Sequence, residues 1–137
     1  MNIANRIPEE IVCFVIMDMS QCDCVVENIQ EVIDRGSFNI VKRHGSRTAG
    51  RLNTVVGVVD NVRIDNNLLL GDLRVSDFLR SYAIDGTLHH RVGFLKRYGH
   101  SNSPKIDVTT RITCAYLLDA NGEMVSDYKT QRRFKDE

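Results

Sequence analysis

The sequence predicts an α+β domain: a curved or closed, mostly antiparallel β-barrel with a few external helices. Three features lead there. Strand-forming apolar blocks recur along most of the chain, a turn of Asp-Asn-Asn joins two of them, and helical spacing is confined to two short stretches. Glycines inside the apolar blocks suit a sheet that must curve. At 137 residues the chain fits one domain with a sizeable core. Residues 1–128 are assigned to that domain, and residues 129–137, of mixed charge around Phe134, to a tail.

Residues 11–17 are β-branched and aromatic between polar flanks and read as a buried strand. A helix follows at 27–35, where Ile29, Val32 and Ile33 fall at i, i+3, i+4 and Gly36 stands where a left-handed residue ends a helix. Residues 36–53, rich in Gly, Ser, Arg and Thr, keep no period and read as an exposed loop around a brief element at 38–41. Residues 54–64 and 68–75 flank Asp65-Asn66-Asn67; Asn and Asp tolerate positive φ, so this is the clearest hairpin. In its arms Val62 and Ile64 alternate with Asn61 and Arg63, and Leu73 and Val75 with Asp72 and Arg74, giving one buried and one wet face. Gly57 and Gly71 mark bulges or curvature. Ser76 is placed to cap a helix at 77–84, with Phe78, Leu79, Tyr82 and Ala83 as its apolar stripe and Gly86 beyond its end. Strands at 92–98 and within 106–118, a turn at Asp119-Ala120-Asn121-Gly122 and an edge strand at 123–128 complete the order.

Apolar residues are 42% and charged residues 26% of the chain, which excludes disordered and fibrous classes. The longest apolar run is far too short for a membrane span and residues 1–10 do not resemble a signal peptide, so a cytosolic protein with no membrane partner is expected. Cys13, Cys22, Cys24 and Cys114 lack the spacing of a disulfide framework and read as reduced, mostly buried thiols. Cys22-x-Cys24 with His89, His90 and His100 offers zinc-type ligands, but its spacing is tighter than the usual structural pair; no metal and no cofactor are expected. Adjacent histidines on a strand face opposite ways, so one of His89 and His90 should pack and the other be solvated. Net charge is zero but unevenly spread: residues 1–34 hold seven acids against Arg6, and residues 35–51 hold five bases and no acid. Arg35, Lys42, Arg43, Arg47 and Arg51 are either a solvated or internally balanced block or an electrostatic footprint for an acidic partner.

Residues 85–94 read Asp-Gly-Thr-Leu-His-His-Arg-Val-Gly-Phe, downstream of the basic-flanked histidine in Lys42-Arg43-His44-Gly45. With Asp34-Arg35-Gly36-Ser37-Phe38, the glycine-bounded hairpin at 57–75, the helix leading to Gly86 and the strand Arg111-Ile112-Thr113-Cys114-Ala115-Tyr116-Leu117-Leu118, they stand in a shared order. Over roughly residues 8–125 this order resembles the prohead (capsid maturation) serine proteases of tailed phages. In that family a dG-x-L-x-x-S-x-G-[FY] segment carries the nucleophilic serine and an upstream histidine acts as base. The resemblance implies a herpesvirus assemblin-like barrel surrounded by helices, with His44 at the base position and Arg91 where the serine would be.

Serine attacks only when an imidazole takes its proton, and a guanidinium has no lone pair for either task. The resemblance therefore implies a domain without peptidase activity unless another nucleophile serves. Thr87, four residues before Arg91, is one candidate, but so large a shift misplaces the backbone donors that hold an oxyanion. Ser101 or Ser103 near His100 and the strand-borne Cys114 are weaker ones, and Asp107, Asp119 and Glu123 are all open as a third triad member. The leading expectation is a phage head-assembly protein that binds capsid or scaffold chains of the same virus, with homo-oligomerisation a further option. It would act in the host cytoplasm during assembly and could be carried into the virion. The alternative is an active serine-type maturation protease with a displaced nucleophile. A third reading, a nucleic-acid-binding β-domain using Arg35 to Arg51, is disfavoured by zero net charge, no tryptophan and 7% aromatics.

Overall fold

Strand-forming residues dominate the chain, and in the computed structural model most of them pair into one curled sheet. The structure describes residues 5–7, 9–22, 25–44, 52–97 and 109–126. The strands are β1 (Asn5–Arg6), β2 (Ile11–Asp18), β3 (Val25–Val26), β4 (Ser37–His44), β5 (Leu52–Asp65), β6 (Leu68–Arg74), β7 (Thr87–Leu88), β8 (His90–Arg97) and β9 (Thr109–Leu117); the helices are α1 (Ile29–Arg35) and α2 (Asp77–Ser81). Across the large sheet the order is β2, β6, β5, β4, β9, with β3 beside the start of β9 and β8 on β9's other edge; β1 and β7 form a separate ribbon. The fold is mostly β with few helices, and the sheet curls into half a barrel. It is mixed and not wholly antiparallel, since β9 runs parallel to both β3 and β4.

The hairpin at 52–74 shows how the sequence dictates its pairing. Asn66 and Asn67 adopt φ of 48° and 68°, the left-handed pair that lets a two-residue turn follow the twist of its strands. Between Asp60↔Asp72 and Arg63↔Leu70 the register slips, and Asn61 takes a positive φ there. Gly71 lies beneath this bulge: a Cβ on it would stand 2.5 Å from the Asp60 carbonyl oxygen. Gly57 lies at the second slip, where Ile40↔Gly57 is followed by Val41↔Val55, and its missing Cβ makes room for Leu79 of α2. The two glycines thus mark the irregularities that curve the sheet.

The concave face carries Phe14, Ile16, Ile40, Val59, Leu73 and Leu117, all sealed from solvent, and each helix adds one buried residue, Val32 and Leu79. α1 ends on Gly36, whose φ of 79° lets its N–H reach the Val32 carbonyl. α2 starts on Ser76, whose hydroxyl accepts from the Leu79 N–H, as the sequence predicts, but ends at Ser81, short of the expected residue 84.

Residues 37–44 and 52–53 are not loop. β4 runs to His44 and pairs with β5 throughout, because two polar-looking segments gain a complete ladder once each has a partner. Cys13 is exposed, contrary to the expectation of mostly buried thiols, since it alternates with the buried Phe14 on β2. Of the edge strand expected at 123–128, the described part, residues 123–126, makes isolated bridges, Leu118 with Met124 and Arg43 with Ser126. The tail at 129–137 lies outside the described residues, and among those described no helix is long and apolar enough to cross a membrane.

Candidate functional site

The two margins of the curled sheet approach each other along β2 and β8, and side chains bridge them. The Asn5 backbone pairs with Leu88 of β7, while its side-chain amide donates to the Val15 carbonyl (3.2 Å) and accepts from the Val15 N–H (2.8 Å). One asparagine thereby supplies β7 with a backbone partner and β2 with a substitute peptide group. Next to it, β2 slips register against β6 between Val15 and Met17, setting Ile16 out of the ladder. The Ile16 carbonyl is taken by His90 Nε2–H at 2.6 Å, which fixes that tautomer, and the imidazole lies 4.6 Å from the Phe14 ring. Burial holds the His90 imidazole below its ordinary value, with His89 adding to the shift and the Ile16 carbonyl opposing it. His89 is exposed, so the pair divides as its strand position requires.

The predicted catalytic positions are spread over the sheet. His44 closes β4, with its backbone paired to Leu52. Arg91 is exposed on β8 and pairs with Tyr116 of β9, which pairs in turn with Val41. His44 is therefore two strand spacings and three residues from Arg91, about 14 Å along the sheet by ordinary strand dimensions. Thr87 is partly buried in β7 and exchanges both backbone hydrogen bonds with Ile84. Ser101, Ser103, His100 and Asp107 lie outside the described residues. Asp119 makes its own turn, accepting the N–H groups of Asn121 and Glu123, and Cys114 is buried.

The predicted basic block is divided by the fold. Arg35 ends α1, a strand's length from Arg43, while Lys42 and Arg43 alternate across β4. Lys42 Nζ sits 5.5 Å from the centroid of the Phe78 ring, a cation–π contact that ties β4 to α2. Arg47 and Arg51 lie outside the described residues.

Sequence reasoning missed Tyr116. It is partly buried, and burial, with Cys114 beside it, pushes its phenol above the ordinary value while a hydrogen bond with Asn53 pulls the other way. Its ring covers Gly93, where a Cβ would stand 2.6 Å from Tyr116 Cε2. Asn28 was missed too: its buried amide donates to the Ile112 carbonyl and accepts from the Ile112 N–H, both at 2.9 Å. The only sequence signal was its place just before a helix, where an asparagine would be expected to cap. Among the described residues no His, Cys, Asp and Glu side chains are grouped to hold a metal ion.

The arrangement supplies an exposed cation and strand edges. His90, the imidazole whose partners are established, spends its N–H on a structural carbonyl. Comparison with known proteins found no matching family model, curated protein or solved structure.

Proposed function

We propose that this chain is a phage head-assembly protein with a prohead-protease-like fold that holds capsid or scaffold chains and does not cut them. The observation that carries the reading is Arg91, exposed on β8 at the position the family resemblance gives to the serine, with β9 between it and β4. A guanidinium there can hold a carboxylate or a peptide carbonyl but cannot form an acyl-enzyme. The order of the glycine-bounded hairpin, the short helix and the late strand supports the family reading, and the mostly β, curled sheet agrees with it at the level of fold class. On this reading the protein works in the host cytoplasm while heads assemble.

The test is intact-mass analysis with a serine-reactive fluorophosphonate, on the natural chain and on Arg91→Ser, combined with co-sedimentation against capsid and scaffold chains of a tailed phage. The expected result is no adduct on the natural chain and co-sedimentation with one of those chains. An adduct on Thr87, or self-cleavage, would replace the binding role with a displaced-nucleophile protease.

A further inference from the structure

We propose that Asn121-Gly122 is a site of spontaneous deamidation, held back by Asp119, and that its conversion to isoaspartate loosens the return of residues 123–126 onto the sheet. Asn121 is the only asparagine of the chain followed by glycine. It is exposed, and among the described residues its side-chain amide makes no hydrogen bond, while its backbone N–H is held by Asp119 Oδ1 at 2.8 Å. Gly122, at a φ of 75°, has nothing within 4 Å of the place a Cβ would take. A glycine nitrogen in open space can swing onto the side-chain carbonyl carbon one residue back, and an attack within one chain needs no encounter.

In the reaction the Gly122 nitrogen gives up its proton and attacks Asn121 Cγ. The new N–C bond forms as the Cγ–Nδ2 bond breaks, and ammonia departs with the proton to leave a cyclic imide. Water then opens the imide at one of its two carbonyls, giving aspartate or isoaspartate, whose main chain runs through the former side chain. Asp119 opposes the first step. Its carbonyl accepts the Gly122 N–H at 3.0 Å, and its Oδ1 also accepts the Glu123 N–H at 3.1 Å, so the turn must open before the nitrogen can attack. The consequence lies just beyond the turn. Val125 is 7% exposed, its N–H bonds the Leu117 carbonyl at 2.8 Å, and its own carbonyl accepts the Arg43 N–H of β4 at 2.9 Å. Turn length sets that register. Isoaspartate lengthens the main chain of the turn by one methylene and brings a carboxylate beside that of Asp119, so Val125 and Arg43 lose their fixed pairing.

The experiment is incubation of the full chain in mildly alkaline buffer, folded and in urea, followed by tryptic mass mapping over time. Peptide 112–129 holds no asparagine or glutamine besides Asn121, so an amide-to-acid mass gain there belongs to that residue. Methyl transfer by an isoaspartyl methyltransferase identifies the isoaspartate. Peptide 52–63, with Asn53 before Thr54 and Asn61 before Val62, is the internal comparison. Conversion at Asn121 in the folded chain should be at least tenfold faster than in peptide 52–63. It should quicken at least threefold more in urea and, if the variant folds, in Asp119→Ala. Hydrogen exchange at the Arg43 N–H should be at least tenfold faster in the converted protein than in the fresh one. Conversion no faster than in peptide 52–63 would overturn the site. Equal rates in the folded chain and in urea would overturn the restraint by Asp119, whether or not Asp119→Ala folds. Unchanged exchange at Arg43 after full conversion would overturn the loosening.

Discussion

Asn28→Ala tests whether one side chain holds α1 to the sheet. The Asn28 side chain is buried, and its two hydrogen bonds satisfy the N–H and the carbonyl of Ile112, a residue 3% exposed. Alanine leaves both backbone groups without a partner, at about 1–3 kcal/mol each. Water entering at the first turn of α1 offsets part of this, so the net loss is about 2–4 kcal/mol. With a urea m-value of about 1.5 kcal/mol per molar, the midpoint falls by about 1.3–2.7 M. Asn28→Asp supplies a sharper form of the test. Its carboxylate can accept from the Ile112 N–H but repels the Ile112 carbonyl, whereas its protonated form restores a donor. The introduced carboxyl's folded pKa therefore lies above its unfolded value of about 3.9. Its stabilising contribution is fully present below that unfolded value and is lost as pH rises through the folded one. Urea titrations at pH 4.5 and 7.5 should show Asn28→Asp approaching the natural chain at the lower pH while the deficit of Asn28→Ala stays constant. A midpoint for Asn28→Ala within about 0.3 M of the natural chain, or an Asn28→Asp deficit independent of pH, would refute the reasoning.

His90 should make the fold acid-sensitive. Because burial lowers its folded pKa, the unfolded chain binds the proton first: stability is full above the ordinary value of 6.5 and falls as pH drops from there toward the folded value. The slope is at most about 1.4 kcal/mol per pH unit, and His90→Gln, which keeps a donor for the Ile16 carbonyl, should flatten it between pH 7.5 and 5; an unchanged slope would remove His90 as its source. Gly71→Ala and Gly57→Ala should part company although both sit at register slips. The first drives a methyl into the Asp60 backbone and should lose about 2–3 kcal/mol, while the second is crowded by a side-chain end, Leu79 Cδ1 at 2.9 Å, with no backbone atom in its way, and should lose less than about 1 kcal/mol. Equal thermal shifts would show that the Gly71 contact relaxes as readily as the other.

The elements most legible in the sequence were those specified locally. Asp65-Asn66-Asn67 fixed a turn, Gly36 ended a helix and Ser76 began one, because each depends on the φ or the side-chain oxygen of a residue in place. The strand at 37–44 was hidden because its residues, Ser-Phe-Asn-Ile-Val-Lys-Arg-His, show little apolar excess until β5 and β9 pair with them. The parallel pairing of β9 with β3 and β4 has no local signal, since the partners are far apart in sequence. The opposed fates of His89 and His90 were legible from strand alternation. What His90 bonds was not, because the Ile16 carbonyl is released only by a slip between β2 and β6.

That slip belongs to a wider pattern in how this sheet treats its margins. A curled sheet that does not close by backbone pairing leaves N–H and carbonyl groups along two edges, and each must find a partner or stay in water. Asn5 gives its amide to Val15, His90 gives its N–H to Ile16, and Asn28 gives its amide to Ile112 within β9. The side chains used are the ones able to imitate a peptide group or half of one, and each sits where its target is at least partly withdrawn from water. The slips that curl the sheet and the polar side chains at its margins belong together: the break in register between Val15 and Met17 frees the Ile16 carbonyl, and the curl brings His90 within reach of it.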